Sequence, residues 1–375
     1  MFRSKQLINA SLVVVSVVFS LFAAELIVRF VAPQTVGTRY ADDISGITVP
    51  RRMLRGSYLV SGLWDMQMSS NRDRFRGTSE YSATPVPGTI RIATLGDSLT
   101  YGLGANDDQT YPVRLQETLQ EQSPGARIEV LNAGIPGAGT GEQALYYDLW
   151  VKRFQPKIVV LGVYANDAED DFSRGLFRIG ADGEVVPRSY KEIEAEAERE
   201  RAIRKMLDKI PFYDFLCSRS HLLALLRGSL SLVIGERFNR DTSEADETVI
   251  RNGLTLMRGE LSWLNARVQE GGAQLVTAFF PSRDTLYPEI ATPDDPYFRR
   301  LSKASSPTIA VLEELSKREG VPFLDLTGAM KKAAKASSER LYYGENDDHP
   351  NPVGYKIMAD EVARFLVSHA LRSTQ

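Results

Sequence analysis

Apolar positions follow two different periods that alternate along the chain from residue 88 onward. Short, largely apolar runs of strand length occur at residues 90–95, 128–131, 158–161, 275–280 and 321–326, and the run at 158–161 is unbroken, which is typical of a strand buried on both faces. Apolar positions spaced three and four residues apart predict helices at residues 112–120, 143–154, 247–269 and 307–317, and a last helix that starts at the cap residue Asn351. Such alternation is typical of an α/β fold with a parallel sheet and helices on both faces.

The N-terminal residues 1–32 have a different pattern. Arg3 and Lys5 precede an apolar run that begins at Leu7 and continues to Ala32, long enough for the roughly 20 residues that a bilayer requires. We interpret this segment as an uncleaved signal anchor, because Phe22-Ala23-Ala24 matches a signal-peptidase site poorly. The basic residues ahead of the run favour a cytoplasmic N-terminus, which predicts an extracytoplasmic, periplasmic location for the rest of the chain.

Three further segments are predicted after the anchor. Residues 33–87 read as a polar juxtamembrane connector, and residues 88–375 as the main domain. Within that domain, residues 168 to about 245 separate the third and fourth strands, which is far longer than an ordinary crossover. The insertion contains a charged stretch at 192–209 and an apolar one at 212–234. It is either a helical insertion on the rim of the domain or a lid or membrane-facing cap.

Composition narrows the possible functions. The formal net charge of -3 gives no reason to expect nucleic acid as a partner. The single cysteine, Cys217, excludes an internal disulfide, and we expect it to be a small packed apolar side chain. The sequence has neither a CxxC nor an HExxH pattern, so we do not expect a protein-ligated zinc site.

Ser98 and His349 are the residues with the clearest chemical potential. Ser98 follows the first strand of the main domain, and ligands of open α/β sheets bind at the carboxyl ends of strands. Of the three histidines, His221 lies in the apolar insertion and His369 near the end of the last helix. His349 alone lies in a loop, beside two acidic residues, and a carboxylate can hold an imidazole in the tautomer that a general base needs.

Two other loops that follow strands could bind an oxyanion. Residues 132–139 are rich in glycine, so their backbone amides could face a ligand. Asn166, in the loop after the third strand, offers a neutral side-chain amide. Each loop could equally be a simple turn between a strand and a helix.

The four blocks together resemble the SGNH/GDSL hydrolase superfamily, in its membrane-anchored bacterial type, over roughly residues 89 to 369. The matching segments are Gly96-Asp97-Ser98-Leu99, the glycine loop, Tyr164-Ala165-Asn166-Asp167 and His349-Pro350-Asn351. The resemblance implies a three-layer, flavodoxin-like parallel sheet of about five strands. It also implies Ser98 as nucleophile, His349 as base, and an oxyanion hole made by Ser98, Gly137 and Asn166. Gly134 matches the oxyanion glycine less well than Gly137.

The sequence departs from the family pattern at two positions. Tyr164 stands where the third block usually has glycine, and Asn346 stands three residues before His349, where the family usually has aspartate. An aspartate two positions before the histidine also occurs in membrane-anchored relatives, so we take Asp347 as the third catalytic residue. Asp348 and Asn346 remain open alternatives.

The resemblance and the anchor together predict an enzyme. We expect a serine esterase that works through an acyl-enzyme, needs no metal or cofactor, and removes O-acetyl or other O-acyl groups from cell-envelope or extracellular carbohydrate. The alternatives are an O-acetyltransferase acting on polysaccharide, a lipase or lysophospholipase, and a catalytically silent binding protein. The expected partners are an ester substrate and the membrane.

Overall fold

A five-stranded parallel sheet carries the candidate site, in a computed structural model that describes residues 2–200, 206, 209–235, 243–291, 294–344 and 347–371. The strands of the described chain are β1 (Val36–Gly37), β2 (Ala41–Ile44), β3 (Ile47–Pro50), β4 (Arg55–Val60), β5 (Trp64–Ser69), β6 (Thr89–Leu95), β7 (Arg127–Asn132), β8 (Ile158–Val163), β9 (Phe177–Ile179), β10 (Val185–Pro187), β11 (Gln274–Phe279) and β12 (Phe323–Asp325). The helices are α1 (Phe2–Val31), α2 (Ser98–Tyr101), α3 (Tyr111–Gln122), α4 (Thr140–Tyr146), α5 (Asp167–Arg174), α6 (Tyr190–Glu200), α7 (Tyr213–Cys217), α8 (His221–Gly235), α9 (Ser243–Glu270), α10 (Arg283–Leu286), α11 (Pro296–Glu319), α12 (Thr327–Ala336) and α13 (Pro352–His369).

The strand order of the sheet is β7-β6-β8-β11-β12, with every neighbouring pair parallel. Counted along the chain, this is the order 2-1-3-4-5 of flavodoxin-like folds. The predicted fold class is therefore confirmed. All six residues of β8, the central strand, are buried, as its unbroken apolar run predicts.

Two groups of helices cover this sheet. Helix α3 packs against α13, and Thr118 donates a hydrogen bond to Asp360 between them (2.9 Å). Helix α9 packs against α4, α5 and α11. The apolar faces of both groups and the sheet form one buried cluster.

The described residues divide into two units, which we describe separately. The larger comprises residues 40–55, 66–200, 243–291, 294–344 and 347–371, and contains the sheet. The smaller comprises residues 2–39, 56–65, 206 and 209–235, and contains α1, α7 and α8. Part of the charged stretch at 192–209 and residues 236–242 of the predicted insertion lie outside the described residues.

The helix predicted at 307–317 begins eleven residues earlier, at Pro296. Asp295 caps it by accepting a hydrogen bond from the Tyr297 N–H (2.8 Å), and Pro296 occupies the first position, where its missing N–H is not needed. Pro307 lies inside the helix rather than at its start, which corrects the prediction. Helix α12 was not predicted at all, and the helix predicted at 143–154 is α4 followed by a π turn (Tyr147–Val151) and a 3₁₀ turn (Lys152–Phe154).

Residues 33–87 contain five short strands, more order than the sequence suggested. Ile44 to Ile47 is a hairpin in which Ser45 and Gly46 both have positive φ, as a tight two-residue turn requires. In β5 the side chains of Trp64, Met66 and Met68 are buried while those between them are exposed, a period of two.

Helix α1 contains one stretch, Asn9–Val31, that is long and apolar enough to cross a membrane, with a mean hydropathy of 2.5. Its apolar side chains are exposed along almost the whole stretch. A membrane anchor and a signal sequence both have this character.

Candidate active site

The loops after β6 and β8 leave the sheet side by side, because these two strands pair from Ile92 with Ile158 to Leu95 with Leu161. This is the point at which the strand order of the sheet reverses, where open α/β sheets bind their ligands. Gly96 makes the first turn with φ of +150°. A Cβ there would lie 2.0 Å from Thr100 Oγ1 and 2.9 Å from the Gly162 carbonyl oxygen, so only glycine lets the two loops approach this closely.

Ser98 is the first residue of the short helix α2 and is half-buried. Asp97 caps this helix, accepting a hydrogen bond from the Leu99 N–H (2.8 Å). Leu99, Thr100 and Tyr101 are buried and fix the helix against the core. Ser98 is thus held on a rigid turn at the edge of the sheet.

Ser98, His349 and Asp347 form a hydrogen-bonded chain. Ser98 Oγ lies 2.9 Å from His349 Nε2, and His349 Nδ1 lies 3.1 Å from Asp347 Oδ1. The same Asp347 oxygen accepts the His349 backbone N–H (2.8 Å), so the ring is fixed relative to its own backbone. With a proton on Nδ1 donated to Asp347, Nε2 is free to accept the Ser98 proton.

The loop that carries His349 is held on both sides. The His349 carbonyl oxygen accepts the Tyr343 N–H (3.1 Å), and Asn351 caps α13 through the Gly354 N–H (3.0 Å). Among the described contacts, Asp348 makes no hydrogen bond to the imidazole and accepts the backbone N–H of Arg283 (2.6 Å). Arg283 in turn donates to the Gly344 carbonyl oxygen (3.0 Å), so the loop is fastened to the end of β11.

Two backbone donors, one in the Ser98 turn and one in the glycine loop, remain available. Among the described residues, no hydrogen bond engages the backbone N–H of Ser98 or of Gly137. Gly137 has φ of +73°, and its carbonyl oxygen accepts a hydrogen bond from Arg174 (3.1 Å). The neighbouring Ile135 N–H donates to the Gly96 carbonyl oxygen (2.8 Å), which joins the glycine loop to the Ser98 turn.

Gly134, the alternative oxyanion glycine, has a different role. Its N–H donates to Asn132 Oδ1 (3.1 Å) and is therefore occupied. A Cβ at this position would lie 2.2 Å from the Tyr101 nitrogen. Gly134 lets the glycine loop pack on α2, whereas Gly137 leaves its N–H exposed to a ligand.

Asn166 occupies the position before the first residue of α5 without a side-chain capping hydrogen bond, and its side chain instead contacts Asp170, one helical turn later. Asn166 Nδ2 donates to Asp170 Oδ2 (2.9 Å), while Asn166 Oδ1 is buried without a hydrogen-bond partner in the described structure. One N–H of the amide is therefore used by Asp170, and the second is left for a ligand.

The electrostatic environment acts on His349 in two opposing ways. Burial alone lowers the pKa of the imidazole, but the hydrogen bond that His349 donates to Asp347 and the negative charges of Asp347, Asp97 and Asp348 outweigh it, so the pKa of His349 is raised above 6.5. Burial also raises the pKa of Asp97 to about 6 and that of Asp348 to about 7.

Buried carboxyl groups lie behind the loops that carry Gly137 and Asn166. Burial raises the pKa of Asp170 to about 8 and the pKa values of Asp171 and Glu142 to about 7. Asp171 accepts the Gly141 N–H (2.9 Å), and Arg174 lies 3.5 Å from Glu142. Within the described residues, no group of three or more metal-binding side chains is placed to hold a metal ion.

The structure thus brings Ser98, His349 and Asp347 together and pairs Asp348 with the Arg283 N–H. Asn346 lies outside the described residues. Sequence reasoning missed Asp170 and Arg283. The spacing of Asn166 and Asp170 across one helical turn was a usable signal, whereas Arg283 lies 65 residues from its partner Asp348 and gave none.

The model of the GDSL-like Lipase/Acylhydrolase family matches residues 94–357, a range that contains every residue of the hydrogen-bonded chain. No curated protein matches the chain.

Three solved structures show similarity to part of this chain. They are a putative lipolytic protein of the G-D-S-L family from Desulfitobacterium hafniense DCB-2, an α/β hydrolase, LAE5, from the metagenome of Lake Arreo, Spain, and Axe2, an acetylxylan esterase from Geobacillus stearothermophilus. Each is 14% identical, with a TM-score of 0.40 over 74% of this chain and 99%, 94% and 94% of theirs, respectively. The assignment rests on the family match, which spans more than half of the sequence: the chain belongs to the GDSL-like lipase/acylhydrolase family and is a hydrolase of ester bonds.

Proposed function

We propose that the enzyme is a serine esterase whose nucleophile is Ser98, whose general base is His349, and whose imidazole is oriented by Asp347. The observation that carries this proposal is the 2.9 Å contact between Ser98 Oγ and His349 Nε2, on an imidazole whose other nitrogen faces a carboxylate. A nucleophile, a base within hydrogen-bond reach and a group that orients the base are the parts that acyl transfer needs.

The reaction proceeds in two steps. Ser98 Oγ bonds to the ester carbonyl carbon while its proton moves to His349 Nε2. The tetrahedral intermediate breaks its bond to the alcohol oxygen, and His349 returns the proton to that oxygen as the alcohol leaves. Water, deprotonated by His349, then attacks the acyl-serine and releases the carboxylic acid and free Ser98.

The negative charge of each tetrahedral intermediate needs donors. The N–H groups of Ser98 and Gly137 and the second N–H of the Asn166 amide are assigned to this role. The glycine loop contacts the Ser98 turn, through the Ile135 N–H and the Gly96 carbonyl oxygen, and it contacts α5 through Arg174 and the Gly137 carbonyl oxygen. Such donors stabilise the transition state more than the ground state because they are aimed at charge that develops during reaction.

We further propose that the substrate is an O-acetylated or otherwise O-acylated carbohydrate of the cell envelope or its surroundings. The N-terminal stretch Asn9–Val31 supports this, since it would hold the enzyme as a single-pass membrane protein with the site outside the cytoplasm, where such esters are accessible. In this proposal residues 1–32 are the anchor, residues 33–87 connect it, and residues 88–375 form the hydrolase domain.

The test combines active-site labelling with a series of chromogenic esters. Ser98→Ala and His349→Ala should abolish hydrolysis, and a fluorophosphonate should label the wild type but not Ser98→Ala. Ser338→Ala, at an exposed serine in the same unit, is the matched control and should behave as wild type. Full hydrolysis by Ser98→Ala, or a wild type that the fluorophosphonate leaves unlabelled, would contradict the assignment; the unlabelled result would favour a binding protein.

Lipid esters are the second candidate, because the chain exposes large apolar side chains, including Phe212 and Phe215, outside the sheet domain. Acetyl, butyryl and palmitoyl esters separate the two candidates. A preference for acetyl esters supports a carbohydrate substrate, and a preference for palmitoyl esters supports a lipid. Acetyl transfer to an added glycan would identify a transferase.

A further inference from the structure

Glu25, an acidic residue inside the apolar helix α1, binds the start of another helix almost 200 residues away. Its carboxylate accepts hydrogen bonds from Ser220 Oγ (2.8 Å), the His221 N–H (3.1 Å) and the Leu222 N–H (2.9 Å), at the N-terminus of α8. The first N–H groups of a helix have no partner within the helix, and a carboxylate satisfies both these groups and the helix dipole.

Two more contacts fasten α8 to the same part of the chain. Arg29 pairs with Glu25 (3.0 Å) and also donates to the Arg219 carbonyl oxygen (2.9 Å). The Gln34 N–H donates to Nδ1 of His221, whose side chain is buried. All of these residues belong to the smaller unit, so the start of α8 is held beside residues 25–34 of the N-terminal segment.

This attachment fixes the level of α8 relative to the apolar stretch Asn9–Val31. Glu25 is six residues from the end of that stretch, or about 9 Å along a helix that rises 1.5 Å per residue. If Asn9–Val31 crosses a bilayer, α8 begins near the outer boundary between acyl chains and head groups.

The surface around this point is apolar with basic residues at its margin. The large side chains of Phe212, Phe215 and Leu226 are 78%, 55% and 57% exposed. Lys209, Arg219 and Arg227 are exposed in the same segment. Exposed aromatic and leucine side chains with adjacent basic groups suit the interface of a bilayer, where the apolar atoms enter the acyl region and the cations meet lipid phosphates.

The length of α8 is compatible with a helix that lies on a membrane and not with one that crosses it. The helix has 15 residues, about 22 Å, and contains Arg227, so it is too short to cross the roughly 30 Å hydrocarbon core. A helix of this length, attached to a spanning helix at the depth of the interface, can bury its apolar surface by lying in the plane of the interface.

We propose that residues 209–235 form a second membrane-contacting element, which rests in the outer lipid interface beside the anchor and is fastened to it by Glu25. The proposal depends on the proposed anchoring of α1, and it goes beyond the esterase assignment. The partner that this apolar and basic surface contacts is the phospholipid bilayer itself.

The single cysteine of the chain allows a direct test in the full-length protein. The protein is reconstituted into vesicles of phosphatidylcholine and phosphatidylglycerol, and Cys217, at the end of α7, is labelled with an environment-sensitive nitrobenzoxadiazole. A second sample carries the label on the exposed position 212, in the double variant C217S and F212C. We expect blue-shifted emission, and quenching at least twofold stronger by lipids brominated near the head group than for a label at the exposed Lys317, placed by C217S and K317C.

A label inside the anchor, placed by C217S and V17C, separates the two ways in which the test can fail. If this label is quenched and the labels at 212 and 217 are not, the interfacial element is refuted while the anchor stands. If none is quenched, the proposed anchoring fails and the interfacial element with it; ester hydrolysis, measured separately, is unaffected by either outcome. Glu25→Ala should weaken the quenching at 212 and 217, and Glu25→Gln, which keeps an acceptor oxygen, should weaken it less; unchanged quenching in Glu25→Ala would refute the role of Glu25.

Discussion

The side chain of Asn166 is oriented by Asp170, whose carboxyl oxygen accepts one N–H of the amide at 2.9 Å. An amide can bind an oxyanion only if its nitrogen, and not its oxygen, faces the site. The ionised form of Asp170, whose pKa is raised to about 8, selects this orientation, because a carboxylate has no proton to donate to Asn166 Oδ1 in the reversed amide. Asp170 is therefore a positioning residue in the proposed mechanism.

Asp170→Ala should lower kcat by about 10-fold or more with little change in KM, since it loosens a donor that acts in the transition state. Asn166→Ala should lower kcat by about 10²–10³-fold. If Asp170 acts through Asn166, the double variant is no slower than Asn166→Ala alone. Additive losses in this double-mutant cycle would show that Asp170 acts in some other way.

The pH dependence of ester hydrolysis should reflect the raised pKa of His349. Protonated imidazole cannot accept the Ser98 proton, so kcat/KM falls as the pH is lowered through the pKa of His349. Because Asp347, Asp97 and Asp348 raise that pKa, the acid limb of the profile is expected above pH 6.5. An acid limb at or below this value would contradict the electrostatic account.

The choice between Asp347 and Asp348 can be made with a matched pair of variants. Asp347→Asn removes the carboxylate at Nδ1, so we expect a loss of at least about 10²-fold in kcat and an acid limb shifted to lower pH. Asp348→Asn leaves the imidazole contact intact and weakens the bond to the Arg283 N–H. It should lower the melting temperature and keep kcat within about tenfold of wild type. The reverse pattern would make Asp348 the orienting residue.

The buried carboxyl groups behind the glycine loop should make the folded protein most stable in mild acid. Burial raises the pKa of Glu142 and Asp171 to about 7, so the folded state binds their protons more tightly than the unfolded state does. The free energy of unfolding should then fall as the pH rises from about 4.5 to 7, because the unfolded chain ionises first.

Chemical denaturation of the full chain in detergent tests this expectation. The free energy of unfolding should be at least about 1 kcal/mol higher near pH 5 than near pH 8. Glu142→Gln should reduce the difference, whereas Glu117→Gln, at a half-exposed carboxylate paired with Arg114, should leave it unchanged. Greater stability near pH 8 would mean that these carboxyl groups ionise readily in the folded protein.

Local sequence signals predicted the helices and strands that a single pattern of residues marks. The strands β6, β7, β8 and β11 were found because each contains a short, largely apolar run, and the last helix because Asn351 and Pro352 mark its start. The helix boundaries that were predicted wrongly are those where two signals for a helix start compete. Pro307 reads locally as a helix start, but the stronger signal of Asp295 and Pro296 lies upstream, and packing of the buried residues on both sides of Pro307 keeps one continuous helix.

The sequence by itself determined the order of strands and helices, the four loops that carry Ser98, Gly137, Asn166 and His349, and the apolar N-terminal stretch. These depend on residue type and spacing, which act over a few residues. Only the tertiary structure decided that Asp347, and not Asp348, faces the imidazole, that the Gly134 N–H is occupied while the Gly137 N–H is not, and that Glu25 binds the start of α8. The reason is physical: which hydrogen-bond partner a group finds depends on the approach of segments that are far apart in the chain, and no local period records that approach.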